Sequence, residues 1–519
     1  MKKSIICIGL LLSGILCIFL AQKINLPATD IGRHIKNGEI LLHANTYNTS
    51  RSALLHTNFF SYTNPDFPFV NHHWGYGIIA YLTYTLFGWT GLSLAYICVL
   101  TSAFLILFLL IAPKTPLYTS IPISLFLIPL IAERTEIRPE GISYLFIAIF
   151  LYILTKYSHD ELEKKYIYIL PLLSVVWINT HIYAIFGPLI VGAFLMEALI
   201  RRDTTKAYTH LTTLGLCAGA LLISPYGLEG ALYPFKIFNN YGYLVSENQS
   251  IPFLERLGFT NPNFLWWKIS STLAIFGSIF VLIYNRKKFP IALWSITLAF
   301  AGLSFFSIRH MTAYGLMLLP FLATTASLLC EKNTTEHGKQ NAWATSAIVS
   351  LCIIIFTGIH FNNRFPGNPS WGVGLLPHNI DSVSFIKETG IHGPFFSNYD
   401  IGGLFIFSLF TPEKKEKVFV DNRPEAYPKE FFSDVYVPMQ ENTDTWARTL
   451  NQYNFNAIWF YRLDATSWAQ QFLVTHINDP LWAPVYVDDF TIIFLKRNEK
   501  NADVIKKYEL PRSMFSITS

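Results

Sequence analysis

The sequence predicts a polytopic α-helical membrane protein with a C-terminal extracytoplasmic α/β domain, and three observations lead to that reading. Of 519 residues, 52% are apolar and only 14% charged, against about 25% charged in an average globular domain. The apolar residues gather into runs of roughly 15–22 with almost no charge, and Lys and Arg cluster between the runs. From about residue 362 the charges return, and short β-like stretches alternate with helical ones. These features exclude a soluble multidomain enzyme, a disordered chain, a collagen and a nucleic-acid binder. The net charge of +5 sits in short loops and reads as membrane topology rather than as a basic binding face.

Taken in order, Met1-Lys2-Lys3 precedes an apolar run to about Leu20. Ala21-Gln22-Lys23 is a poor small-x-small cleavage site, so this run is expected to remain as a first span with a cytoplasmic N-terminus. A polar loop follows over 22–74, then an apolar segment over 75–88 whose length suits a helix lying at the interface. Further spans are expected near 91–112, 117–133, 141–157, 166–180, 184–200, 209–224, 264–284, 289–307, 311–330 and 342–361. With 75–88 kept out of the count there are eleven spans. The basic loops Lys156…Lys164-Lys165, Arg201-Arg202 and Arg286-Lys287-Lys288 then share the side of the N-terminus, as the positive-inside rule requires.

This topology gives a transmembrane domain over 1–361 and an extracytoplasmic domain over 362–519. The first loop, the turns at 133–140, 179–181 and 309–310, and the loop 225–263 face outward with the latter. In the C-terminal domain, strands are expected over Pro394-Phe395-Phe396, Lys417 to Val420, Ala457 to Tyr461 and Phe490 to Leu495. Helices are expected over Ser382 to Thr389, Thr443 to Tyr453 and Thr466 to His476. Cys7, Cys17, Cys98, Cys217, Cys330 and Cys352 all fall in or beside apolar runs with no CxxC spacing, which reads as buried thiols rather than disulfides or a Cys-ligated metal.

The first outer loop carries the richest chemistry. Asp30 and His34 are four residues apart, so a helix there places both on one face. The loop continues through Phe60-Ser61-Tyr62-Thr63-Asn64-Pro65 to Asn71-His72-His73-Trp74. Carboxylate and imidazole groups at a membrane surface can supply a general base, ligate a metal or bind a sugar. The plainer alternative is an N-cap aspartate with His and Trp anchoring at headgroup level. Arg138 and Arg309 each stand at the outer end of a span, where a guanidinium needs an anionic partner. A lipid phosphate fits by its bidentate geometry, while headgroup snorkelling or pairing with Glu133, Glu136 or Glu140 is the competing reading. Asn179 and His181 close an apolar run and read first as helix-end groups, and His310 as a structural neighbour of Arg309. The loop 225–263 mixes Glu229, Glu247 and Glu255 with aromatic residues, which suits either a lid or an amphipathic surface segment. Asp421-Asn422-Arg423 follows a predicted strand, where either a ligand crevice or an Asp–Arg turn accounts for it. No GxxxxGK[ST] and no GxSxG occurs, so ATP-driven transport and a serine-elbow hydrolase find no support.

The order of these motifs resembles the GT-C superfamily of membrane glycosyltransferases. The resemblance rests on an apolar first span, Asp30-x-x-x-His34, Phe-Ser-Tyr-Thr-x-Pro, Asn71-His72-His73-Trp74 and an interfacial helix. Arg138-Pro139-Glu140, Trp177-Ile178-Asn179-Thr180-His181, Ser224-Pro225-Tyr226-Gly227, Asn398 to Gly403 and Phe419 to Arg423 extend it over nearly the whole chain. The chain looks like a bacterial branch distantly similar to protein O-mannosyltransferases and aminoarabinose transferases. That resemblance implies transfer of a sugar from a polyprenyl-phosphate carrier to an acceptor hydroxyl at the outer face of a bacterial inner membrane, with inversion. It implies Asp30 as the catalytic base, with His34, His72, His73, Arg138, Glu140, Asn179, His181, Tyr226, Arg309 and His310 around the substrates. The implied partners are the lipid-linked donor, membrane lipid and an acceptor glycan, lipid or protein. The resemblance fixes no cofactor, and use of a divalent metal stays open. Many relatives carry an Asp-Glu pair and a His-Pro-Pro stretch in this loop, where this chain has Asp30-Ile31 and His72-His73-Trp74. A secondary transporter or flippase, or a non-catalytic scaffold in envelope glycan assembly, is the alternative. The collection of polar residues at one face favours surface chemistry over alternating access.

Overall fold

The computed structural model describes residues 2–330, 336–364 and 370–515. The chain packs as two units, one formed by 1–22, 93–231 and 245–373 and the other by 23–92, 232–244 and 374–519.

The first unit is helical because its sequence offers long apolar runs broken only by short polar turns. Every run expected to span is helical. Seven helices among the described residues are long and apolar enough to cross a membrane: Lys3–Leu20, Trp74–Ile111, Glu140–Ser158, Ile182–Ile200, Pro262–Tyr284, Ile308–Leu329 and Lys339–Phe361. Leu117–Ile131 and Ile291–Phe306 are shorter apolar helices. Leu117–Ile131 packs against both Met311–Cys330 and Glu336–Arg364, and Phe186–Ile200 packs against Thr204–Ala220. Leu100, Phe104, Leu127, Tyr144, Phe150, Trp177 and Tyr314 fill the centre. Other large apolar side chains point outward, among them Leu11, Leu172, Phe276, Ile283, Phe306 and Ile348. An exterior so apolar suits hydrocarbon rather than water. The helix Trp74–Ile111 breaks at Gly88, whose φ of 64° only glycine adopts readily, at the expected end of the 75–88 segment.

The second unit joins the first loop to the C-terminal region. Its sheet runs in the order β1 (Phe395–Ser397), β2 (Ala457–Tyr461), β4 (Thr491–Lys496), β3 (Trp482–Val487). β1 and β2 are parallel and the other pairs antiparallel. The helices Asp381–Thr389, Thr443–Tyr453 and Ser467–Asn478 fall where expected. Two expectations are corrected. Lys417 to Val420 is not a strand: it meets the first loop in one isolated bridge, Ser61 to Val418. β3 was not foreseen, because Pro484 interrupts its pattern, and the register against β4 shifts between Pro484 and Tyr486.

Residues 365–369, just past the expected boundary at 361/362, lie outside the described residues, as does the side chain of Cys330. Of the other cysteines, Cys217 is buried as expected, Cys17 is half-buried, and Cys7, Cys98 and Cys352 are exposed on helix exteriors. All five thiols are free. The expectation of burial therefore fails for three of them, since an apolar run has an outer face as well as an inner one.

Candidate functional site

In the second unit, Asp30 occupies the N-cap position of the helix Ile31–Leu42, yet its side chain makes no cap hydrogen bond. Its carboxylate instead turns toward the helix's first turn, with Oδ2 3.5 Å from Arg33 Nη2 and 3.6 Å from His34 Nε2. The four-residue spacing thus does what the sequence analysis expected of it. His34 is fully buried, edge-on to His73 and to Tyr76 with ring centroids 5.2 Å away in each case. His72 lies against His73, with ring centroids 3.8 Å apart and planes tilted at 49°, and beside Tyr233, and its Nδ1 donates to the Val70 carbonyl at 3.1 Å. Four of the sequence-predicted residues, Asp30, His34, His72 and His73, are therefore one cluster.

Glycine sets how closely this helix is held. A Cβ at Gly38 would stand 2.1 Å from the Gly77 carbonyl oxygen, and one at Gly403 would stand 2.4 Å from that of Thr29. Gly403 thus serves close backbone approach to Thr29 and Asp30.

The support beneath the cluster comes from Asp421-Asn422-Arg423. Arg423 is buried and makes a two-point pair with Asp421, Nε to Oδ1 at 2.7 Å and Nη2 to Oδ2 at 2.6 Å. Its Nη2 also donates to Asn58 Oδ1 at 2.8 Å, and its guanidinium lies over the Phe69 ring at 4.7 Å. Asn422 Oδ1 accepts from Arg33 Nε at 3.2 Å, which aims Arg33 at Asp30. Burial, then the nearby Arg423 charge, pushes the Arg33 guanidinium below its usual value. The Asp–Arg turn reading of this motif is the one the contacts support. Its role in holding the first loop was not visible, because the partners lie 365 and 389 residues apart.

Elsewhere in the same unit, Tyr243 stacks on Tyr399 at 4.3 Å. Burial, then the Asp464 charge beside it, pushes Asp400 up to about 7.

In the first unit, Arg138 and Arg309 meet on an unexpected partner, Glu247 of the loop 225–263. Arg309 Nη2 donates to Glu247 Oε1 at 2.5 Å, Arg138 Nη1 to the same oxygen at 2.9 Å, and Arg134 Nη1 to Oε2 at 2.7 Å. Glu140 joins them, 3.3 Å from Arg134 and 3.7 Å from Arg309, and Glu136 pairs with Arg138 at 2.7 Å. Burial raises the pKa of the Glu247 carboxyl, but Arg134, Arg138 and Arg309 together hold it well below the usual carboxylate range. Glu133, also named as a partner for these arginines, instead accepts from Asn261 and Asn263.

Asn179 Nδ2 donates to the carbonyls of Val175 and Ile223, a helix-end role. His181 Nδ1 lies 2.7 Å from Ser143 Oγ, which also accepts from Trp177 Nε1 at 2.8 Å. His310 stacks on Tyr183 at 5.3 Å, with Nδ1 3.3 Å from the Ser307 carbonyl. Tyr226 is buried in the turn opened by Ser224, whose Oγ accepts from the Tyr226 N–H at 3.3 Å. Among the described residues no group of three or more His, Cys, Asp or Glu side chains comes together as a metal site, so Asp30 and His34 offer at most a partial ligand set.

No family model matches the chain, and no curated protein matches it by sequence. Solved structures do match. The archaeal oligosaccharyltransferase AglB from Archaeoglobus fulgidus, in complex with an inhibitory peptide and a dolichol-phosphate, aligns with a TM-score of 0.57 at 11% identity. That alignment covers 93% of this chain and 73% of the other. The apo oligosaccharyltransferase of the same organism aligns at 0.58 and 12% identity over 96% of this chain and 74% of its own. A form tethered to an acceptor peptide containing the NVT sequon aligns at 0.57 and 12%, over the same shares. At such identity the likeness is one of fold alone.

Proposed function

We propose that this chain is a membrane glycosyltransferase that moves a sugar from a polyprenyl-phosphate carrier to an acceptor hydroxyl, with inversion. The observation that carries the reading is Asp30: a largely buried carboxylate at the N-cap of a helix that makes no cap hydrogen bond and turns toward Arg33 and His34. The fold likeness supports it, since one matching structure is described with a dolichol-phosphate and another with an acceptor peptide.

The chemistry follows from the two ends of the reaction. A lipid-phosphate leaving group is already anionic and needs charge stabilisation more than a proton. An acceptor hydroxyl has a pKa far above neutral and needs an aligned base. Asp30 takes the hydroxyl proton as the acceptor oxygen attacks the anomeric carbon and the phosphate oxygen departs with the bonding electrons. Arg33 and His34 orient the carboxylate. Arg309 and Arg138 attract the donor phosphate, which shares them with Glu247. His72, His73, Glu140, Asn179, His181, Tyr226 and His310 belong to the surroundings of the substrates. The domains are those read from the sequence, 1–361 in the membrane and 362–519 outside it, with an N-terminus in the cytoplasm of a bacterial cell. A reporter fused to the C-terminus that works only outside the cytoplasm tests this placement.

The test of the reaction is donor binding and single-turnover transfer in two variants. Asp30→Asn is expected to lose transfer by about 10²–10⁴-fold with donor binding retained. Arg309→Ala is expected to weaken both, because its charge acts in the ground state and the transition state alike. Loss of donor binding in Asp30→Asn with none in Arg309→Ala would reverse the two roles. Sugar flux into vesicles with no new glycosidic bond would favour a transporter, and full pathway activity of Asp30→Asn a scaffold.

A further inference from the structure

The helical unit contains a cavity of about 570 Å³ at the end that carries its basic loops. That volume is in the range of small-molecule sites, roughly 300–1,000 Å³. Its lining holds five cationic side chains, Lys114, Arg201, Lys206, Lys287 and Lys288, and two carboxylates, Glu197 and Asp203; Glu161 pairs with Lys114 and Asp160 with Lys206 from beside it, so the cations outnumber the carboxylates by one. Such an imbalance in a recess favours an anion.

The cationic side is built rather than loosely gathered. Arg201 pairs with Glu197 through Nε at 2.7 Å, and its Nη1 and Nη2 donate to the carbonyls of Lys287 and Phe289 at 3.0 and 2.8 Å. Glu197 also accepts from the Ala292 N–H at 2.8 Å. These contacts fasten the turn 285–290 over the cavity and so fix where Lys287 and Lys288 stand. Lys206 is anchored by Asp160 and by the Ser158 carbonyl, each at 2.9 Å.

A second observation comes from the buried part of the lining. His210 is fully buried, and neither ring nitrogen has a hydrogen-bond partner among the described residues. The hydroxyl of Thr155, also buried and in the lining, is in the same condition. Buried polar groups are normally hydrogen-bonded, and phosphate oxygens, which accept, and phosphate hydroxyls, which donate, would satisfy both. The rest of the wall is apolar, with Leu110, Phe194 and Leu293.

We infer that this cavity binds a phosphate-bearing anion, either the headgroup of an anionic membrane lipid or a free phosphate ester. The positive-inside rule places the basic loops in the cytoplasm, where basic pockets between helices meet anionic headgroups. The inference does not depend on the sugar-transfer reading.

The test uses the full chain in a neutral detergent, with thermal unfolding read against phosphatidylglycerol, phosphatidylcholine and inorganic phosphate. Phosphatidylglycerol is expected to raise the melting temperature and phosphatidylcholine to leave it unchanged. The double variant Lys287→Gln/Lys288→Gln, altering exposed side chains, should weaken the apparent affinity by roughly tenfold or more. The pair Lys164→Gln/Lys165→Gln, outside the cavity, should leave it unchanged. A response to phosphatidylglycerol alone identifies a lipid headgroup, and the same charge-dependent response to inorganic phosphate identifies a free phosphate ester. Either supports the inference. It is overturned if neither probe acts, or if the two double variants weaken binding equally.

Discussion

Two carboxylates, one in each unit, are handled in opposite ways. Glu247 is gripped by three guanidiniums at 2.5–2.9 Å. Asp30 Oδ2 lies 3.5 Å from Arg33 Nη2 and 3.6 Å from His34 Nε2. Short, charge-assisted contacts hold Glu247 ionised and lock a long loop in place. The longer contacts of Asp30 turn its carboxylate toward Arg33 and His34 of its own helix. Contact length, rather than pairing alone, therefore separates the two.

The comparison can be broken first at Glu247. Glu247→Gln is expected to cost about 3–5 kcal/mol, since it leaves buried guanidiniums short of a countercharge. Asp30→Asn should cost less than about 1 kcal/mol by the same melting assay. Because the folded chain holds the Glu247 carboxyl below its ordinary value, its stabilisation is present at neutral pH. That contribution is lost as pH falls below the ordinary carboxylate range, and Glu247→Gln should flatten this acid limb. If Arg138 and Arg309 contact donor phosphate, the same variant should also bind donor more tightly.

A smaller effect is expected at Arg423. Arg423→Lys keeps the charge but loses the two-point pair with Asp421 and the contact to Asn58. A loss of about 2–3 kcal/mol and faster proteolysis of the first loop should follow, with transfer falling as the turn that carries Asn422, the acceptor for Arg33 Nε, loosens.

Asp400 offers a third kind of carboxylate, raised to about 7 by burial and Asp464. Its folded value lies above its unfolded one, so the folded chain binds more protons between about pH 4 and 7. Stability should decline across that window and level off above it. Asp400→Asn should remove the slope and raise stability at pH 8 by about 1–3 kcal/mol. The smallest effect is expected at His34: His34→Gln should reduce transfer roughly tenfold, as a positioning residue, and shift its pH profile.

Much of this arrangement was legible in the sequence, and the illegible parts share a cause. The apolar runs became helices because length and charge exclusion determine them locally. The Asp30–His34 contact was readable because both residues lie within one helical turn. The Glu247 cluster was not, since its arginines come from 62 and more residues away. The Arg423 contact to Asn58 was hidden for the same reason. Lys417 to Val420 has the composition of a strand, but whether such a run joins a sheet depends on an open neighbouring edge, which composition does not report.

The central claim is that Asp30 removes the acceptor proton and does little else. Single-turnover transfer from a polyprenyl-phosphate-linked sugar, measured beside donor binding for the wild-type chain and Asp30→Asn, tests it most directly. The account predicts transfer reduced by about 10²–10⁴-fold with donor affinity and melting temperature nearly unchanged. Transfer at the wild-type rate in Asp30→Asn would contradict it.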